Sequence, residues 1–169
     1  MNKNLTRRVA SSGVIAALYV LLTFISFALG LSSGVIQLRL SECLCVFAFF
    51  DPCAAVGLSV GCLVADMLTG CVPLDTLFGT LATLVGALLC FLLGKIYKKT
   101  GAKFLRFLAP LPNALANSIA VPLVLKLVYT QNGSVFYFAA CVFISEILVS
   151  YALGIPLLLS VEKTSLFKN

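Results

Sequence analysis

The sequence has few charged residues, no histidine and no tryptophan. Only 11% of its 169 residues are charged, against about a quarter in an average soluble domain, so the chain cannot cover a water-facing surface. The absence of histidine excludes histidine-based zinc sites, Ser-His-Asp and Cys-His catalysis, and a histidine proton relay. Because 61% of the residues are hydrophobic, the composition instead indicates an integral membrane protein whose surface faces lipid.

Motifs for metal binding and for ATP hydrolysis are also missing. The seven cysteines include no CxxC pair, and nearly all lie inside apolar runs, where cysteine serves as a small apolar side chain. This usage fits a bacterial inner membrane that faces a reducing cytoplasm. We therefore predict no metal site and no cofactor. Since no GxxxxGK[ST] motif occurs, energy for transport has to come from a partner or from a gradient.

Apolar runs divide the chain into six predicted helices that form a single membrane domain, residues 1–169. The first run follows a basic start but is too long for the core of a signal peptide, so we interpret it as a retained membrane helix. Proline at position 52 stops the second helix, and Asp75 is a predicted N-cap of the fourth. The sequence thus predicts an all-α bundle of six transmembrane helices, with spans at about 9–29, 40–50, 53–69, 75–94, 107–128 and 135–160.

Lysine and arginine orient these spans. If the spans alternate in direction, ten of the 12 basic residues fall on one side, including a predicted basic loop at residues 95–106. Only Arg39 and Lys126 fall on the other side. The positive-inside rule then places both termini in the cytoplasm. The alternative that this loop binds RNA is not needed to explain the charge.

Ionisable groups inside a bilayer are costly and tend to be functional. The sequence offers six, all outside the cytoplasmic half: Arg39, Glu42, Asp66, Asp75, Lys126 and Glu146. Several have a structural alternative, because Arg39 and Glu42 can pair across one helical turn, and Lys126 can reach the interface. Glu146 has no cation near it in sequence, so we predict that it meets either a ligand or a partner from another helix.

Two amides add to this polar set. Asn113 and Asn117 are four residues apart, so they share one helical face, which we expect to point inward for a ligand or for a bond to another helix. Carboxyl and amide groups with few cations suit a neutral heterocycle better than a phosphate. A guanine-like base is one such heterocycle, because one edge of it presents two adjacent N–H groups to a carboxylate.

Small residues crowd the first half of the first helix. Ala10, Gly13, Ala16 and Ala17 let another helix approach closely, so they predict either an internal seam or a docking surface for a second membrane protein. The third and fourth helices carry comparable small residues, which we interpret as interior seams of a compact bundle.

Several segments together resemble a known family. The stretch Gln37-Leu38-Arg39-Leu40-Ser41-Glu42 and the stretch from Asp75 to Leu84 are the more specific ones. Weaker matches follow in order: residues 57–62, 112–117, Glu146 and 151–156. Over nearly its whole length the chain resembles the queuosine-precursor transporter (QueT) family, substrate-binding S components of energy-coupling factor (ECF) transporters. It departs at Asp66, where the family pattern favours asparagine.

The resemblance implies a fold, a ligand and partners. The fold would be a six-helix bundle that holds a 7-deazaguanine, a queuosine precursor or queuine, near the outer face beneath the loop at residues 30–38. The chain would hydrolyse nothing itself and would dock, through Ala10, Gly13, Ala16 and Ala17, on a transmembrane coupling subunit that carries two cytoplasmic ATPases. The implied substrate-binding residues are Gln37, Arg39, Glu42, Asp66, Asn113, Asn117 and Glu146.

Three alternatives stay open at this point. The chain can be an S component for a different vitamin, with the same fold and partners. It can be a stand-alone secondary carrier, although no inverted repeat is evident. An intramembrane enzyme is a further alternative, but no nucleophile–base pair or metal cluster supports it.

Overall fold

A computed structural model describes residues 3–31, 38–127 and 134–163, with side chains from Thr6 onward. Within these ranges all regular structure is helical, which confirms the predicted all-α class. The elements are α1 (Lys3–Ala28), a 3₁₀ helix (Leu40–Phe49), α2 (Pro52–Leu68), α3 (Pro73–Thr100), α4 (Phe104–Phe107), α5 (Leu111–Leu127), α6 (Val135–Val149), a π-helical segment (Ser150–Gly154) and α7 (Ile155–Lys163).

Four stretches are long and apolar enough to cross a membrane. They are Thr6–Ala28, Pro73–Thr100, Phe104–Lys126 and Val135–Lys163. The other two predicted spans are shorter apolar helices, Leu40–Phe49 and Pro52–Leu68. At about 2.0 Å per residue for a 3₁₀ helix and about 1.5 Å for an α-helix, they measure roughly 20 and 25 Å, less than the roughly 30 Å of a hydrocarbon core. The chain is thus a multi-pass helical protein in which two short helices pack among longer ones.

The fourth predicted helix has different ends from those expected. Asp75 is not its N-cap: Val72 takes that position and Pro73 opens α3, because proline has a suitable φ and needs no amide bond in the first turn. At the other end α3 continues past Gly94 to Thr100, so the first half of the predicted basic loop is helical. Lysine is a good helix former, and the helix ends only where Gly101 adopts a φ of 68°.

Close helix contacts depend on small residues, as predicted. A Cβ at Gly61 would lie 2.8 Å from the Tyr19 Cβ and 2.9 Å from the Ala16 carbonyl oxygen, and one at Gly57 would collide with the Ser12 backbone. The α1 and α2 helices therefore touch backbone to backbone. The packing continues from α2 to α3, from α3 to α5 and from α5 to α6.

The 3₁₀ helix occupies the centre of the bundle. It contacts α1, α2, α3, α6, α7 and the π-helical segment, and eight of its residues are buried: Ser41, Glu42, Cys43, Leu44, Cys45, Val46, Ala48 and Phe49. Its first turn is held by α1, since the Ser26 hydroxyl accepts from the Leu40 amide at 2.9 Å and the Thr23 hydroxyl donates to Ser41 at 2.9 Å.

Ion pairs close the end of the bundle where α1 begins, which we call the basic end. Arg8 binds Asp51 through two nitrogens, at 2.9 and 3.0 Å, and Asp51 also accepts from the Cys53 amide as the N-cap of α2. Partial burial raises the pKa of the Asp51 carboxyl, but the bonds from Arg8 and Cys53 outweigh it and bring that pKa below its ordinary value. This N-cap therefore stays ionised and joins α1 to α2 at neutral pH.

A second cluster at the basic end joins α3, α4 and α7. Glu162 accepts a hydrogen bond from the Tyr97 hydroxyl at 2.8 Å and pairs with Arg106 at 3.0 Å. Arg106 also donates to the Tyr97 hydroxyl. The last helix is therefore held to the α3–α4 corner by polar contacts.

Candidate ligand-binding site

Six of the seven predicted site residues lie in the described part of the chain. The seventh, Gln37, and most of the predicted covering loop lie outside the described residues. Arg39 is partly buried, and the other five are almost fully buried: Glu42, Asp66, Asn113, Asn117 and Glu146. The structure thus brings five of the predicted polar side chains into the interior of an apolar bundle.

Arg39 and Asp66 form an ion pair between the start of the 3₁₀ helix and the end of α2. The distance from Arg39 Nη2 to Asp66 Oδ1 is 2.6 Å. Arg39 thus bonds to another helix rather than within its own turn to Glu42. The second Asp66 oxygen lies beside α3, where a Cβ at Gly79 would be 3.3 Å from it. A glycine at position 79 therefore leaves room for this carboxyl group.

Both oxygens of Glu42 are hydrogen-bonded. The Tyr19 hydroxyl donates to Oε1 at 2.5 Å, the Asn113 amide donates to Oε2 at 2.7 Å, and the Cys45 thiol lies 3.4 Å from Oε2. The Glu42 side chain thereby joins α1, the 3₁₀ helix and α5. With three donors around it, Glu42 has little capacity left for a ligand.

Sequence reasoning missed Tyr19, and a signal for it was present. Tyr19, Thr23 and Ser26 recur at i, i+4 and i+7 in an otherwise apolar run, so they share one face of α1. All three are at most 2% exposed, and this face binds the 3₁₀ helix. A polar stripe in a membrane helix points inward, so its spacing could have assigned these residues to the interior.

Glu146 has one bonded oxygen and one open oxygen. The Asn117 amide donates to Oε1 at 3.0 Å, whereas Oε2 is buried without a hydrogen-bond partner among the described residues. The side-chain oxygen of Asn113, Oδ1, is likewise buried without a hydrogen-bond partner among the described residues, and it lies against Gly86 of α3. Both asparagines thus bond to another helix, one of the two roles that their spacing left open, and two buried acceptors have no partner among the described residues.

Two hydroxyls near this region are also buried without a partner in the described ranges, those of Thr80 and Ser150. Ser150 opens the π-helical segment that follows α6, and Gly154 closes it against the backbone of the 3₁₀ helix at Cys43. Short π-helical turns inside α-helices are frequent at functional sites. The unfilled groups therefore lie on α3, α5 and the α6–π segment, three neighbouring parts of the bundle.

The small residues of α1 divide between two environments. Ala10, Gly13 and Ala17 are exposed, and a Cβ at Gly13 would meet nothing within 4 Å. Ala16 is partly buried and packs against Gly61 of α2. Ala16 therefore belongs to the internal seam, while the other three residues leave the predicted docking surface open.

Carboxyl and amide groups enclosed by apolar membrane helices are typical of one class of protein, the multi-pass membrane proteins that handle a small polar solute. In the described residues no cluster of His, Cys, Asp or Glu could hold a metal ion. Sequence comparison agrees with this class: the model of a family described as QueT transporter matches residues 9–163. The chain belongs to the QueT transporter family, which confirms the resemblance described above.

A curated relative is similar over part of the chain. This is the queuosine precursor transporter QueT of Lactococcus lactis subsp. cremoris (strain MG1363), 35% identical over 85 residues. The match covers 50% of this chain and 50% of that relative, so the chain spans about half the relative's length in this alignment. No solved structure gives a significant match.

Proposed function

We propose that the chain is the substrate-binding S component of an ECF transporter and takes up a 7-deazaguanine, either a queuosine precursor or queuine. Membership in the QueT transporter family and the name of the relative support the transport role. The observation that carries the ligand class is the presence of two buried acceptors that have no partner among the described residues, Glu146 Oε2 and Asn113 Oδ1.

Buried acceptors that lack a hydrogen-bond partner favour a ligand with N–H donors. Leaving a buried acceptor unpaired costs about 1–3 kcal/mol, which a donating ligand recovers. A carboxylate has about four lone-pair sites, so Glu146 can accept two parallel bonds while it keeps its bond from Asn117. A 7-deazaguanine presents two adjacent donors, its ring N1–H and its exocyclic amine. A phosphate ester would need additional cations, and Arg39 is already paired with Asp66.

The other predicted residues receive supporting roles. Glu42 positions Asn113 and is itself held by Tyr19, so it acts through its neighbours rather than on the ligand. Arg39 and Asp66 join two helices at the end of the bundle opposite the basic end, where Gln37 and the preceding loop would cover the ligand. The two short helices complete six spans in a single membrane domain.

The energy for uptake would come from partner subunits. We assign Ala10, Gly13 and Ala17 to the docking surface for a transmembrane coupling subunit that carries two cytoplasmic ATPases, because these small side chains are exposed on α1. Ala16 contributes at the edge of this surface and also to the seam with α2. The protein would lie in a bacterial cell membrane with both termini in the cytoplasm.

The first test is calorimetry on the detergent-purified chain with a panel of 7-deazaguanines, and with guanine, riboflavin and biotin as controls. We expect sub-micromolar binding of one deazaguanine and no heat from the vitamins. Binding of a vitamin instead would show that the assigned ligand is wrong, but it would still agree with an S component. Flat traces for every compound, from a sample that unfolds cooperatively, would refute the proposed ligand class.

A further inference from the structure

An apolar groove runs along the outside of the seam between α3 and α5. Its volume is about 490 Å³, within the range of roughly 300–1,000 Å³ that small-molecule sites occupy. Every lining side chain is apolar: Val85, Leu89, Leu92, Leu93, Leu108, Leu111, Pro112, Leu115, Ala116 and Ile119. Several of these are about half exposed on the membrane-facing surface, so the groove opens toward lipid.

The groove leads toward lysines at the basic end. Leu92 and Lys99 are seven residues apart on α3, two helical turns, so they share one face. Lys99 lies about 9 Å farther along the helix axis than Leu93. Lys103 precedes α4, a single turn that ends next to Leu108 of the groove. An elongated ligand with an apolar body in the groove would place its head beside these two side chains.

In the parts of the chain that the structure describes, neither Lys99 nor Lys103 takes part in one of the ion pairs reported above. The sequence contains no Asp or Glu from residue 76 to residue 145, which includes α4, α5 and nearly all of α3. The three ion pairs described above each use an arginine, and Glu162, the carboxyl residue of the α3–α4–α7 cluster, pairs with Arg106. Lys99 and Lys103 are both exposed. The mouth of the groove is therefore cationic and lacks an internal counter-ion in the described part of the chain.

Aromatic side chains flank this mouth. Phe104 is 68% exposed and Phe107 is 53% exposed, and each directly follows a basic residue, Lys103 and Arg106 respectively. Phenylalanine combined with lysine and arginine on a short helix is typical of helices that lie at the boundary between lipid tails and head groups. The mouth thus has the features of a head-group layer, and the groove extends from it toward the hydrocarbon.

We propose that this groove binds one anionic phospholipid, with an acyl chain against Leu89 and Leu115 and its phosphate beside Lys99 and Lys103. Lysine binds phosphate as a point charge, and each lysine near an anionic head group adds a measurable preference. A partner helix in the same groove would need to bring its own acidic residues to the lysines. A lipid supplies both the apolar body and the negative charge in one molecule.

Native mass spectrometry of the full chain tests the proposal. The detergent-purified protein is titrated with phosphatidylglycerol or with phosphatidylcholine of the same acyl chains. We expect a preference of about fivefold or more for phosphatidylglycerol, which a Lys99→Gln/Lys103→Gln variant reduces toward one. Lys126→Gln, at the opposite end of α5, is the matched control and keeps the preference. Equal binding of both lipids by the unaltered chain, or an equal loss in the control, would overturn the proposal.

A second measurement identifies the occupant in membranes. A photoreactive benzoylphenylalanine in place of Leu115, which is about half exposed, is activated in native membranes. We expect the chain to gain the mass of a phospholipid, and the Lys99→Gln/Lys103→Gln background to lower the share of anionic lipid in that adduct. A protein adduct instead would assign the groove to a partner helix and refute the lipid proposal.

Discussion

Replacing Glu146 with glutamine alters a buried acceptor that has no partner among the described residues, and it keeps nearly the same side-chain volume. The glutamine carbonyl can still accept from Asn117, which now donates to Oε1 at 3.0 Å. The amide nitrogen then takes the place of Oε2, the oxygen without a partner among the described residues. In the proposed complex, an N–H group would therefore face ligand donors where the carboxylate would accept from them.

The size of the effect follows from these bonds. A hydrogen bond to a charged group contributes about 1.5–3 kcal/mol, and an unpaired buried donor costs about 1–3 kcal/mol, although the ligand can shift to relieve part of this. We expect Glu146→Gln to weaken deazaguanine binding by about 1–3 kcal/mol, which corresponds to roughly a 5- to 150-fold higher Kd.

Calorimetry with the preferred deazaguanine measures the change in Kd, and thermal unfolding of the ligand-free protein serves as its control. Because the variant removes a buried ionisable group, we expect the ligand-free Tm to stay the same or rise. Glu162→Gln is the matched variant, since it changes a carboxyl at the basic end that is bound by Tyr97 and Arg106. It should leave the Kd unchanged.

One result would refute the reasoning about this acceptor. If Glu146→Gln folds normally and binds the deazaguanine with the Kd of the unaltered chain, Glu146 does not accept from the ligand. If instead both glutamine variants weaken binding equally, the effect reflects general destabilisation rather than the open oxygen.

Three further predictions address packing, pH and docking. Gly94→Ala should lower the free energy of unfolding by about 1–3 kcal/mol or more, and the Tm with it, because the added Cβ would collide with the Phe49 carbonyl. Gly13→Ala, where a Cβ meets nothing within 4 Å, should not lower the Tm. Asp51→Asn should lower the Tm at pH 6 and should lower it by progressively less as the pH falls below 3.8, since a carboxyl with a lowered pKa contributes fully above that ordinary value and loses the contribution as the pH falls through its lowered pKa. Gly13→Trp should spare ligand binding and abolish uptake in cells; uptake at the normal rate would remove this face of α1 from the docking surface.

The order and approximate position of the helices could be predicted from the sequence. Long apolar runs and the helix-stopping Pro52 are local signals, and they agree with the observed elements to within a few residues except at the start of α1 and the end of α3. At the end of α3 the miss has a clear cause. There, Gly94 indicated a helix end, although it is a packing residue that touches Phe49 of the 3₁₀ helix. Glycine can either end a helix or allow close packing between helices, and only the tertiary contact distinguishes the two roles.

The polar residues were identified, but most of their partners were not. Burial of Asn113 and Asn117 follows from their spacing, whereas their bonding to Glu42 and Glu146 depends on which helices are neighbours. Arg39 had a possible partner one turn away and instead bonds Asp66 of α2. Long side chains reach several candidates, so pairing is decided by helix packing that a local pattern does not contain.

The central position of the 3₁₀ helix has a consequence for membrane insertion during synthesis. A helix of only ten residues is too short to be recognised as an independent span, and α2 is the next segment to leave the ribosome. Arg39 and Asp66 stand at the far ends of this helical pair and neutralise each other. We therefore expect residues 39–68 to enter the bilayer together as a hairpin, after α1 is in place to offer its polar face.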